Sequence, residues 1–102
     1  MDIVETKEGS KLILKLTDKL DTNSAPELNE YLKVNLEGVT ELEFDLSDLI
    51  YISSAGLRVL LATQKAMSKQ GSMRIYNVKD IVMEVFLATA FTKIMDITAE
   101  GD

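Results

Sequence analysis

At 102 residues, with 46% hydrophobic and 27% charged side chains, the chain has the composition of one globular domain long enough to bury a core. The absence of cysteine excludes disulfide and thiolate chemistry, and the absence of histidine removes the commonest general base, neutral-pH proton switch and metal ligand. A net charge of −6 with no basic cluster anywhere argues against nucleic-acid binding and favours a partner with a positive patch.

Two short strands, roughly 2–7 and 11–17, flank a turn at Glu8-Gly9-Ser10. The second sets Leu12, Leu14 and Leu16 on one face and Lys11, Lys15 and Thr17 on the other, with Ile13 an exception. Ser24-Ala25-Pro26-Glu27 fits a capping box, with proline tolerated in the first turn. The helix behind it carries Leu28, Tyr31, Leu32 and Leu36 on one stripe and Glu27, Asn29, Glu30 and Lys33 opposite. Residues 41–46 alternate as a half-buried strand should, and from Leu57 the apolar spacing becomes helical, predicting a helix over 54–69. After the break at Gln70-Gly71-Ser72, a short strand is expected at 73–76. A third helix built on Val78, Ile81, Val82, Val85 and Phe86 follows, then a last strand at 94–97.

The order is β-β-α-β-α-β-α-β, with the strand after each helix parallel to the one before it. Strands covered on both faces would read as continuous apolar runs, whereas Lys11, Lys15, Glu41, Glu43 and Asp45 interrupt these. The expected architecture is an α/β mixed sheet of about four to five strands in one domain, 1–102, with helices mainly on one face. A doubly wound nucleotide-binding sheet fits less well. No apolar stretch reaches membrane-spanning length, and Met1-Asp2-Ile3-Val4-Glu5 has no basic leader region. A cytoplasmic protein that binds no membrane is expected.

The boundary between the two periodicities holds the most information. In Tyr51-Ile52-Ser53-Ser54-Ala55-Gly56-Leu57 two hydroxyls, an alanine and a glycine separate strand from helix. If Ser54 opens the helix, the free N–H groups and the positive helix end favour negative charge there. A phosphate on Ser54 would add about −1.5 to −2 charges, and Arg58, four residues on, lies on the same helical face. The same serine also reads as a plain helix cap, and physics alone leaves both readings open. Asp21, Asp45 and Asp48 suit a hard cation but read more simply as turn and loop-end residues. No G-x-x-x-x-G-K loop and no G-x-S-x-G elbow occurs, so no catalytic, metal or cofactor site is assigned. The methionines at 67, 73, 83 and 95 read as core filler, and Lys65 and Lys69 as the solvated side of the helix.

The segment Asp45-Leu-Ser-Asp-Leu-Ile-Tyr-Ile-Ser-Ser-Ala-Gly-Leu-Arg-Val-Leu-Leu61 resembles the signature of the STAS domain, as found in anti-sigma factor antagonists. Leu20-Asp21-Thr22-Asn23-Ser24-Ala25 resembles that family's loop before its first helix. Residues 82–94 resemble its final helix and the turn into the last strand. The resemblance covers essentially the whole chain. It implies a STAS-type fold and a binding protein with no catalysis and no cofactor of its own. Its partner would be an anti-sigma factor that is also a serine kinase, and binding would free a sigma factor. The kinase would phosphorylate Ser54, ending binding, and a serine phosphatase would reverse this. Asp21, Thr22, Asn23, Ser53, Ala55, Gly56 and Arg58 would surround the modified serine as partner-binding residues. The chain departs from the family at Ser53, where aspartate is common, and at Ala90, where glycine is common. Two other readings stay open: a scaffold STAS subunit of a lipid-transport or stress-sensing complex with no sigma-factor link, and a nucleotide-binding enzyme using the Ser54 helix end.

Overall fold

The leucine alternation in residues 11–17 becomes the floor of a layered structure. In a computed structural model, which describes Met1–Gly101, the elements are β1 (Ile3–Glu8), β2 (Lys11–Leu20), α1 (Ala25–Asn35), β3 (Glu41–Ile52), α2 (Ser54–Met67), β4 (Ser72–Val78), α3 (Asp80–Ala88), a 3-10 turn (Phe91–Lys93) and β5 (Asp96–Ala99). The strands form one sheet in the order β1-β2-β3-β4-β5. β1 and β2 are antiparallel across a tight turn, and β2, β3, β4 and β5 are parallel neighbours. The helices supply the crossovers that parallel neighbours require.

Register aligns the apolar rows. Leu12 pairs with Leu42 and Leu42 with Met73; Leu14 pairs with Phe44 and Phe44 with Ile75. All are buried, and Leu28, Leu32, Leu57, Leu60, Val82 and Phe86 of the helices close over them. Each such side chain contributes about 1.5–3 kcal/mol of transfer free energy. The opposite face has no helical cover and is laced with charge instead. Glu43 lies 3.4 Å from Lys11 and 3.5 Å from Arg74, whose guanidinium sits 4.7 Å from the centre of the Tyr76 ring. The one-sided helical layer expected from the interrupted strands is therefore present.

Element ends differ from the expectation where the period changes. β2 runs on to Leu20 and β3 to Ile52, because register shifts fall between Lys15 and Thr17 and between Asp18 and Lys19. Across these bulges the buried residues of β3 recur every third position, Leu46, Leu49 and Ile52, so a period of two loses the strand at Leu46. Val78, assigned to the third helix from its spacing, is the last residue of β4, and Asn77 before it takes a left-handed φ of 57°. α2 ends at Met67 rather than at residue 69. β5 starts at Asp96, after the 3-10 turn, and Ile94 is exposed.

Two positions make opposite predictions about glycine. A Cβ on Gly71 would lie 1.9 Å from the Thr40 carbonyl oxygen, so Gly71→Ala forces the α2–β4 turn off its neighbour. A loss of about 1–3 kcal/mol is expected. Ala90 has φ 60° and ψ 22°, a left-handed conformation that a Cβ disfavours and glycine tolerates. Ala90→Gly should gain about 1 kcal/mol. Urea unfolding should move the two midpoints in opposite directions.

Candidate functional site

The β3–α2 junction divides its work between two serines. Ser53 is the N-cap of α2: its backbone is extended (φ −99°, ψ 174°) and its Oγ accepts from Gly56 N at 3.5 Å. Its own N–H donates to the Leu20 carbonyl at 2.9 Å. Ser54 is the first helical residue and is exposed, and its hydroxyl has no hydrogen-bond partner among the described residues. The cap and the free hydroxyl, two readings of one residue in the sequence, thus fall on neighbouring residues. The first turn of α2 contains no acidic side chain, so the positive helix end is not neutralised from within. Arg58 lies one turn further along, exposed.

Gly56 does structural work. A Cβ there would come 2.7 Å from Leu20 Cγ and 2.9 Å from the Leu20 carbonyl oxygen, so α2 can rest on the end of β2 only with glycine at this position. The residue is buried and presents no side chain to a partner, which corrects its place among the expected contact residues.

The β2–α1 loop is tied by Asp21 and Ser24. The expected capping box does not form: Ser24 is the N-cap by position but makes no side-chain cap bond. Its backbone (φ −95°, ψ −21°) is helical rather than extended, so its buried hydroxyl points back into the loop. There it donates to the Lys19 carbonyl at 2.8 Å and accepts from Asp21 N at 2.9 Å. Asp21 Oδ1 accepts from Asn23 N at 3.0 Å and Ser24 N at 3.1 Å. The Ser24 N–H, with help from that of Asn23, holds the Asp21 carboxyl below the ordinary carboxylate value. With Asp21 turned inward, Thr22 and Asn23 form the exposed tip of the loop.

The Leu20–Ser53 bond brings this loop and the junction together. Thr22, Ala25, Ala55 and Arg58 share one open hollow of about 470 Å³ between α1 and α2. Beside Ser54, Ile50 and Tyr51 are 46% and 48% exposed, an apolar rim that sequence reasoning missed. Its signal was present in the failed alternation after Leu46. Other aspartates have separate duties. Asp45 accepts from Ser47 N and Asn77 Nδ2, and Asp48 pairs with Lys15 at 3.0 Å. Among the described residues, no group of three or more His, Cys, Asp or Glu is placed to hold a metal ion.

Fold and site together define a small mixed α/β module with its exposed serine at the rim where strands end and helices begin. The model of the STAS domain family matches residues 3–100, and the chain belongs to that family. It is 32% identical over 101 residues to the anti-sigma-B factor antagonist of Bacillus subtilis (strain 168), covering 97% of this chain and 93% of that one. The phosphorylated form of the Bacillus cell fate determinant SpoIIAA superposes with a TM-score of 0.74 at 14% identity, over 97% of this chain and 93% of that one. A sulfate transporter family protein from Wolinella succinogenes gives 0.78 at 16% identity, over 91% and 80%. At such identities these two structures establish shared fold alone.

The loop and cap bonds carry measurable stability. Ser24→Ala should cost about 1–2 kcal/mol by orphaning its buried partners. Ser53→Ala should cost less, about 0.5–1 kcal/mol, because the cap bond is long, whereas Ser53→Asp should be neutral or stabilising. The depressed Asp21 value has a defined sign. Its contribution is fully present above the unfolded-state carboxylate value and is lost as pH falls through the lower folded value. Asp21→Asn should therefore flatten the acid limb of a plot of melting temperature against pH.

Proposed function

We propose that this protein is an anti-sigma factor antagonist whose binding surface is switched by phosphorylation of Ser54. It binds an anti-sigma factor with serine kinase activity in the cytoplasm, so freeing a sigma factor, and a serine phosphatase resets it; it catalyses nothing itself. The observation that carries this reading is the free, exposed Ser54 hydroxyl at the first position of α2, with Ser53 taking the cap. The relative named an anti-sigma-B factor antagonist supports it across nearly the whole chain. The contact surface comprises Thr22, Asn23, Ser54, Ala55 and Arg58, extended by Ile50 and Tyr51. Asp21, Ser53 and Gly56 hold that surface in shape.

The switch follows from electrostatics. A phosphate brings about −1.5 to −2 charges and strongly hydrated oxygens to a rim that includes Ile50 and Tyr51. A partner packed on that rim would have to desolvate the dianion, so binding ends, while the helix end partly neutralises the charge within the fold. A scaffold role in a larger complex is the second reading. It is favoured by the shared fold of the sulfate transporter family protein and by Ser53 standing where aspartate is common.

Calorimetric titration with the purified anti-sigma factor, with and without ATP, separates the two. Ser54→Ala should bind like the parent and lose its sensitivity to ATP. Ser54→Asp should bind at least about tenfold more weakly, although one carboxylate imitates phosphate imperfectly. If both variants bind and respond like the parent, the switch lies elsewhere. Co-purification with a transporter ATPase would favour the scaffold role.

A further inference from the structure

Charge on α2 is segregated from the rest of the molecule. The chain carries a net −6, yet α2 and the turn after it hold Arg58, Lys65 and Lys69 and no acidic residue. Arg58 and Lys65, seven residues apart, lie along one side of the helix with exposed Ala62 between them, and Lys69 follows in the turn after its end. All three are exposed, and no carboxylate among the described residues lies within 4.0 Å of any of them. Of the other cations, Lys11, Lys15, Lys33, Arg74 and Lys79 each sit against a carboxylate, while Lys7, Lys19 and Lys93 stand singly on other elements.

Beside this stripe runs an apolar groove. The hollow of about 470 Å³ between α1 and α2 meets a second of about 220 Å³, and the two share Asn29 and Ala62. Its α2 wall is Ala55, Arg58, Val59, Ala62, Thr63 and Ala66, where three alanines are short enough to let another backbone approach closely. From Arg58 to Lys65 the helical part of the stripe is about 10 Å long at 1.5 Å per residue, about two turns, and Lys69 extends it into the turn beyond.

We propose that the groove and stripe together dock an amphipathic helix of the partner that carries carboxylates along one flank. Its apolar side chains fill the alanine-lined groove while its carboxylates meet Arg58, Lys65 and Lys69. The charged open face of the sheet is a poorer host, because Lys11, Glu43 and Arg74 already neutralise one another there. This inference rests on the binding role proposed above and adds the chemistry of the partner segment. It also ties docking to the switch: a phosphate on Ser54, one turn from Arg58, draws the guanidinium toward itself and out of the stripe.

The test uses the intact protein and a fluorescent model helix of about four turns, with leucine on one face and glutamate on the flanks. A counterpart with lysine flanks is the control, and anisotropy is followed at low and moderate salt. The acidic peptide should bind at least about tenfold more tightly than the lysine peptide, and salt should weaken it. The triple variant R58E/K65E/K69E should lose at least about tenfold with an unchanged circular dichroism spectrum. Ala62→Trp, which blocks the groove without altering charge, should also lose binding. Equal affinity for the two peptides, or a triple variant that binds like the parent, overturns the proposal. So does preferential binding of the stripe to phosphatidylglycerol vesicles, which would assign it to a lipid surface. The assay contains neither anti-sigma factor nor ATP, so its failure is distinct from failure of the Ser54 switch.

Discussion

The site depends on one backbone hydrogen bond, from Ser53 N–H to the Leu20 carbonyl at 2.9 Å. It ties the end of β3 to the end of β2 just where each strand hands over to its helix, so the Asp21 loop and the Ser54 junction become neighbours. The same carbonyl lies 2.9 Å from where a Cβ on Gly56 would sit, which leaves the first turn of α2 no room to drift without breaking contact with β2. The two bulges upstream serve this arrangement. They turn Leu49 and Ile52 into the core at a spacing of three and leave Ile50 and Tyr51 outside. A regular strand would have buried one of that pair and carried the junction past Leu20.

Separating the cap from the free hydroxyl has a thermodynamic consequence. A cap is worth about 0.5–2 kcal/mol, and a domain of this size has only about 5–15 kcal/mol in total. Were Ser54 the cap, esterifying its oxygen would alter the helix start and the partner surface together. With Ser53 accepting from Gly56 N, the hydroxyl of Ser54 can change charge while the helix keeps its end. The inward-turned Asp21 and Ser24 do the same for the loop opposite, since their bonds are spent on Lys19, Asn23 and one another.

Much of this was legible in the residues because it rests on periodicity. The leucines at 12, 14 and 16, the charged interruptions of β2 and β3 and the helical stripe from Leu57 imply a mixed sheet covered on one face. The serine-rich junction was legible as the boundary between strand and helix, and the structure places it there. What failed were features set by tertiary contact. The capping-box pattern at Ser24 was outcompeted by the Lys19 carbonyl and the Asp21 amide, which only the folded β2–α1 turn places in reach. Val78 fitted a helical stripe equally well, and pairing with Ala99 of β5 decided for the strand. The expectation of no basic cluster missed the stripe, because Arg58 and Lys65 are seven residues apart and share a side only when wound into a helix, with Lys69 in the turn beyond.

Topology explains why α2, rather than another helix, suits the proposed switch. Parallel strands joined by helical crossovers bring the starts of α1, α2 and α3 to the same edge of the sheet, each with its positive end outward. Glu27 occupies the first turn of α1 and Asp80 that of α3, so each of those ends is answered by a carboxylate of its own. α2 has none. A dianion added at Ser54 therefore meets a helix end that still favours negative charge, and its cost to the fold is small. Its cost to a complex would not be, because a partner on the exposed Ile50 and Tyr51 would have to strip water from the phosphate. Under the proposed switch, the difference between those two costs would let one covalent charge govern association while the architecture stays the same.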